Sequence, residues 1–81
     1  DEEDSIGLWL AERVEFGVVD GRVNAGRLYE SYRWWCHENG VADIRSNVAL
    51  GRELGARGLE RDVVKADGKT ARVWRGIDLR T

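Results

Sequence analysis

Residues 46–79 read SNVALGRELGARGLERDVVKADGKTARVWRGIDL, and the way this stretch divides decides the fold. Its first part predicts a helix over about 46–57: Ser46 can cap the N-terminus, Leu50 and Leu54 recur one turn apart on an inward face, and Gly58 is a C-terminal stop. Its second part predicts a hairpin over about 60–79. Leu59 to Val64 and Thr70 to Leu79 flank Asp67-Gly68, a dipeptide that favours the type I′ turn whose twist suits antiparallel strands. The outward side of the helix carries Arg45, Val48, Ala49, Arg52, Gly55 and Ala56, mostly small residues with two arginines. A helix exposed only for solubility would more often carry long charged side chains along that face. Small ones let it approach another surface closely.

Upstream, Asn24 is a plausible N-cap for a second helix over about 25–39, with Ala25, Leu28, Tyr29, Tyr32, Trp35 and Cys36 on one stripe and Asn39-Gly40 as its stop. Such an aromatic stripe is expected to pack in the core. Trp34 points away from it, together with Arg27, Glu30 and His37, and is a candidate contact for another protein or domain. Before this, Ile6, Trp9, Leu10 and Phe16 suggest a first helix over about 5–16, capped by Asp4 or Ser5. Between the two helices, Gly17 and Asp20-Gly21 break the pattern, and Val18, Val19 and Val23 suggest a short strand or extended link.

The charge is divided along the chain. The 81 residues have a net charge of −2, but residues 1–44 hold four arginines against ten carboxylates, a net of −6, and residues 45–81 hold nine cations against five carboxylates, a net of +4. The local field rather than the total decides where a polyanion docks. The opening run Asp1, Glu2, Glu3, Asp4 is expected to be a solvated acidic start to the first helix, where the dipole favours it.

A chain this short buries only about 60% of its unfolded surface, which leaves no room for a second catalytic domain. One domain over 1–81 is expected. Cys36 alone forms no internal disulfide, and Cys36 with the single His37 cannot complete a four-ligand zinc site, so neither metal nor other cofactor is expected and a reducing cytoplasmic setting is the default. No stretch approaches the roughly 20 apolar residues of a membrane span. One histidine and one cysteine supply no Ser-His-Asp or Cys-His set, so an enzyme is not expected. The absence of methionine, even at position 1, suggests a piece of a longer protein.

Helix, extended piece, helix, helix and basic hairpin is the order of a winged helix-turn-helix domain, an α+β fold of three helices with a C-terminal β-hairpin wing. In that architecture the third helix enters the DNA major groove while the wing meets the backbone or a neighbouring groove.

Three segments also resemble a known family. RLYESYRWWCHENG, residues 27–40, resembles a pattern in the C-terminal domain of phage and plasmid primase-helicases related to the poxvirus enzyme, through Leu28, Tyr29, Tyr32, Trp35, Cys36, Glu38, Asn39 and Gly40. SNVALGRELGARGL, residues 46–59, matches at Ser46, Gly51, Arg52, Leu54, Gly58 and Leu59, with Leu50 where that family usually has Phe. Arg72, Val73, Trp74, Arg75, Gly76, Ile77 and Leu79 look like its closing strand. The resemblance implies a module that follows a helicase ATPase and recognises origin or template DNA. The ATPase itself is not implied for these residues, which contain no GxxxxGK[ST] phosphate loop.

The expected partner is therefore DNA, single- or double-stranded, with the upstream helicase domain as a further partner and no membrane. Arg45, Ser46, Asn47, Val48, Ala49 and Arg52 are the candidates for groove contact, with Arg52 suited to guanine and Asn47 to adenine. Lys65, Lys69, Arg72, Arg75 and Arg57 are the candidates for phosphate contact, Arg75 having the stronger case for a structural role. Two rivals compete: an interaction module working through Trp34 and the acidic half, which the overall negative charge favours, and a free-standing transcriptional regulator, which would need a dimerisation helix.

Overall fold

A computed structural model describes residues 5–80, Ala66 by its backbone alone. The acidic run at 1–4, including Asp4 as a cap, lies outside the described residues. In chain order the elements are α1 (Ser5–Arg13), β1 (Val14–Phe16), β2 (Arg22–Asn24), α2 (Ala25–Glu38), α3 (Asn47–Ala56), β3 (Glu60–Ala66), β4 (Lys69–Arg75) and β5 (Ile77–Leu79). The result is a mixed α+β arrangement of three helices and five strands in two antiparallel sheets, β1-β5 and β2-β4-β3.

The caps follow from the side chains. Asn24 Oδ1 accepts from the amides of Gly26 (2.8 Å) and Arg27 (3.3 Å), and Ser46 Oγ accepts from the Ala49 amide at 3.2 Å. Each satisfies donors that the first helical turn leaves open. The hairpin turn is of the expected kind: Asp67 and Gly68 have φ of 54° and 74°, and Ala66 pairs with Lys69. Positive φ at both central residues is what a type I′ turn requires.

Two boundaries differ from the sequence reading, and a single pairing explains both. The first helix stops at Arg13, not at Phe16, because Val14 to Phe16 pair with Leu79 to Ile77 as a second small sheet. The ladder is extended by the Arg80 amide donating to the Arg13 carbonyl at 2.8 Å. Conversely, the second strand of the hairpin does not run on to 79. Gly76, at φ 78°, breaks it, and β5 leaves to join β1. Positive φ is costly for residues with a Cβ, which is why the break falls on a glycine. Val14 remains buried as a helical Val14 would have been, but Phe16 is about half exposed rather than in the core. Of Val18, Val19 and Val23, only Val23 lies in a strand; it pairs with Trp74, while Val18 and Val19 lie outside any strand.

The core joins all three helices to the sheets. Ile6, Trp9 and Leu10 of α1, Leu28, Tyr32, Trp35 and Cys36 of α2, Leu50 and Leu54 of α3, with Val14, Val23, Trp74 and Ile77, form one buried cluster. Trp9 meets Tyr32 edge-on at 5.4 Å between ring centroids, and its indole nitrogen donates to Ser31 Oγ at 3.2 Å. Ser5 lies within α1 rather than capping it, with its side chain turned inward against Tyr32.

Candidate nucleic-acid interface

The site begins in the buried face of α2. The Arg45 amide donates to the Tyr32 hydroxyl at 3.0 Å, and the Tyr29 hydroxyl donates to the Arg45 carbonyl at 2.9 Å. Two tyrosines on one helical face thus clamp the peptide groups on either side of Arg45. The next residue, Ser46, caps α3. The Tyr32 hydroxyl also lies 3.4 Å from Ser5 Oγ, so α1, α2 and the start of α3 meet at one buried oxygen. Burial pushes the Tyr32 hydroxyl above its ordinary pKa, against the opposing pull of its bonds to Ser5 and Arg45. Burial likewise raises the Cys36 thiol.

Held in this way, α3 buries Leu50 and Leu54 and presents Asn47, Val48 and Arg52 to solvent. Between this face and the hairpin runs a groove of about 400 Å³, walled by Ala25, Asn47, Val48, Gly51 and Arg52 on one side and Arg61, Arg72 and Trp74 on the other. Among the described residues, no carboxylate lines it. The positive end of α3 opens beside it, since Asn47 and Val48 form the first helical turn.

Strand register decides which hairpin cations belong here. Arg61 pairs with Trp74, Val63 with Arg72 and Lys65 with Thr70, so these six residues share one face of β3-β4. Trp74, at the base of that face, is buried against α3. Arg61 lies over its ring with the guanidinium 5.2 Å from the centroid, an arrangement that fixes a cation without a carboxylate. Arg61 and Trp74 were not among the residues expected in the site. Counting back from the Asp67-Gly68 turn would have paired them, since a two-residue turn fixes the register of the whole hairpin.

The remaining candidates are distributed more widely. Lys69 and Arg75 fall on the opposite face of the hairpin, with Lys69 at the turn and Arg75 3.7 Å from Asp62. Arg57 pairs with Glu53 at 3.6 Å, one turn back on α3. Arg45 is exposed and 4.0 Å from Asp43. Ser46 is committed to its cap and Ala49 is half-buried. Among the described residues, Arg52, Lys65, Lys69 and Arg72 make no ion pair. Trp34 is 69% exposed on α2. With Glu30, Arg33 and His37 it lines a separate depression that shares no residue with the groove.

Among the described residues, no group of three or more His, Cys, Asp and Glu side chains could hold a metal ion, and no helix is long and apolar enough to cross a membrane. Compared with known families and with curated proteins, the sequence matches no family model and no curated protein.

Proposed function

We propose that this chain is a winged-helix DNA-binding module in which α3 enters the major groove and the β3-β4 hairpin is the wing. The observation that carries the reading is the convergence of Arg52, Arg61 and Arg72 on one groove that no carboxylate lines among the described residues. Guanidiniums in such a groove suit DNA, because their planar forks fit a phosphate or the edge of a guanine. The element order supports the fold part of the reading. Without the small β1-β5 sheet, the chain runs α1, β2, α2, α3, β3, β4, and the short β2 joins the hairpin through β4, which is how a winged helix ties its wing to the helices.

On this reading Arg61, Arg72 and Lys65 hold the backbone, Arg52 and Asn47 face base edges, and Lys69 touches a phosphate from the tip. The motif order at 27–40, 46–59 and 72–79 further supports a place at the C-terminal end of a primase-helicase of the phage and plasmid kind.

Binding to duplex and to single-stranded DNA over a salt series tests the proposal. Affinity should fall steeply with salt, and Arg61→Ala or Arg72→Ala should each flatten the logarithmic slope by about one unit. An absence of salt-dependent binding even at low ionic strength would overturn it. A second reading, docking to a protein partner, draws on the exposure of Trp34. The surfaces are separable: Trp34→Ala should leave DNA affinity unchanged and weaken only assembly with such a partner.

A further inference from the structure

Val48 is 68% exposed on the first turn of α3, and the burial of Leu50 and Leu54 holds that helix without it. A lone exposed valine is ordinary on a protein surface. This one shares a groove wall with Asn47 and Arg52, facing Arg61 and Arg72. An apolar side chain beside a cluster of cations suits a ligand that places an apolar group next to an anionic one. Thymine in duplex DNA does so: its 5-methyl group stands at the backbone edge of the major groove, close to the phosphate on the 5′ side of its own nucleotide.

Resting on the DNA-binding reading above, we propose that Val48 reads the thymine 5-methyl group, so that the groove takes duplex DNA with an A·T pair under the first turn of α3. A phosphate seated between Arg61 and Arg72 brings the adjacent methyl towards Val48. Asn47, the preceding residue on the same wall, supplies the donor and acceptor that match an adenine edge. RNA is disfavoured twice over, because uracil lacks the methyl and the A-form major groove is too narrow to admit a helix.

The test starts from the duplex that the 81-residue chain enriches from a random pool, rebuilt with deoxyuridine in place of each thymine in turn. Removing the one contacted methyl should weaken binding about fourfold, the loss expected for one buried methyl-sized group. Val48→Ala, which removes both γ-methyls, should bind the thymine and uracil versions alike, while Val48→Thr, which keeps one γ-methyl, should retain most of the difference. The salt slope should stay the same in both variants. Equal affinity of the unmodified chain for thymine and uracil duplexes, with the salt dependence intact, overturns the thymine assignment but leaves DNA binding standing. Equal binding of the matching RNA duplex also overturns it. No salt-dependent binding to any duplex removes both readings together.

Discussion

Helices α2 and α3 have similar ends and different interiors. Each is opened by a side-chain cap, Asn24 or Ser46, and each is followed by a glycine at positive φ, Gly40 or Gly58. Between those ends, α2 buries Leu28, Tyr32, Trp35 and Cys36 and binds the turn before α3 through two tyrosine hydroxyls. The shorter α3 is anchored by Leu50 and Leu54 and leaves Asn47, Val48, Arg52 and Glu53 exposed beside small residues. One helix holds the molecule together and the other is held out by it. A residue on α2 should therefore register mainly in stability, and a residue on the outer face of α3 mainly in binding.

The largest expected effect is on α2. Trp35→Ala removes a side chain that is only 4% exposed and should lower stability by about 3–5 kcal/mol in a denaturant titration. Val48→Ala on α3 should stay within about 0.5 kcal/mol of the parent. Similar losses from both changes would break the comparison. Trp35 sharpens it in another respect: its indole N–H is buried with no hydrogen-bond partner, so its contribution comes from packing alone.

Next in size is the hydroxyl that links the two helices. Tyr32→Phe leaves the Arg45 amide without its acceptor and should cost about 1–2 kcal/mol. Amide exchange should speed up most at Arg45 and the start of α3. The change also alters the alkaline limb of stability. Because the folded-state pKa of Tyr32 is raised, the neutral hydroxyl's contribution is fully present below the ordinary tyrosine pKa near 10 and is lost as pH rises through the higher folded value. Tyr32→Phe should remove that part of the loss, and an unaltered alkaline limb would show that the hydroxyl is not the coupling group.

The smallest effect has the opposite sign. A Cβ at Gly51 would meet only Trp74 Cζ2, at 4.0 Å, an ordinary contact. Gly51→Ala should therefore raise stability by about 0.5–1 kcal/mol through better helix propensity. Gly51 is a wall of the groove, so the same substitution should weaken DNA binding. Stability and affinity moving together would argue that α3 is not the presented helix.

Local chemistry made much of this legible. Asn24 and Ser46 read as caps because their short polar side chains reach amides two or three residues away, and Asp67-Gly68 read as a type I′ turn because few other residue pairs tolerate positive φ twice. The exposure of Trp34 and the inward placement of Leu50 and Leu54 followed from helical periodicity. Strand β1 was not legible, nor was the departure of β5 from the hairpin to pair with it. Three residues carry almost no periodicity, and Val14 to Phe16 continue a helical pattern as readily as they start a strand. Of the candidate cations, those on or near α3 could be assigned to a side by counting turns. Those on the hairpin could not be sorted until the register put Lys65 and Arg72 on one face and Lys69 and Arg75 on the other.

The sequence by itself determined the three helices, the caps of α2 and α3, the hairpin turn and the separation of an acidic first half from a basic second half, because each depends on residues close together in the chain. Only the tertiary structure decided that Gly76 divides the last strand, that Arg75 is engaged by Asp62, and that Arg61 sits on Trp74 opposite Arg52. Those outcomes depend on which strand edges and side chains meet after the chain has closed on itself. A cation's place in the sequence says nothing of its neighbours in space, and here it is the neighbours that distinguish an ion-paired surface arginine from one that lines a groove with other cations.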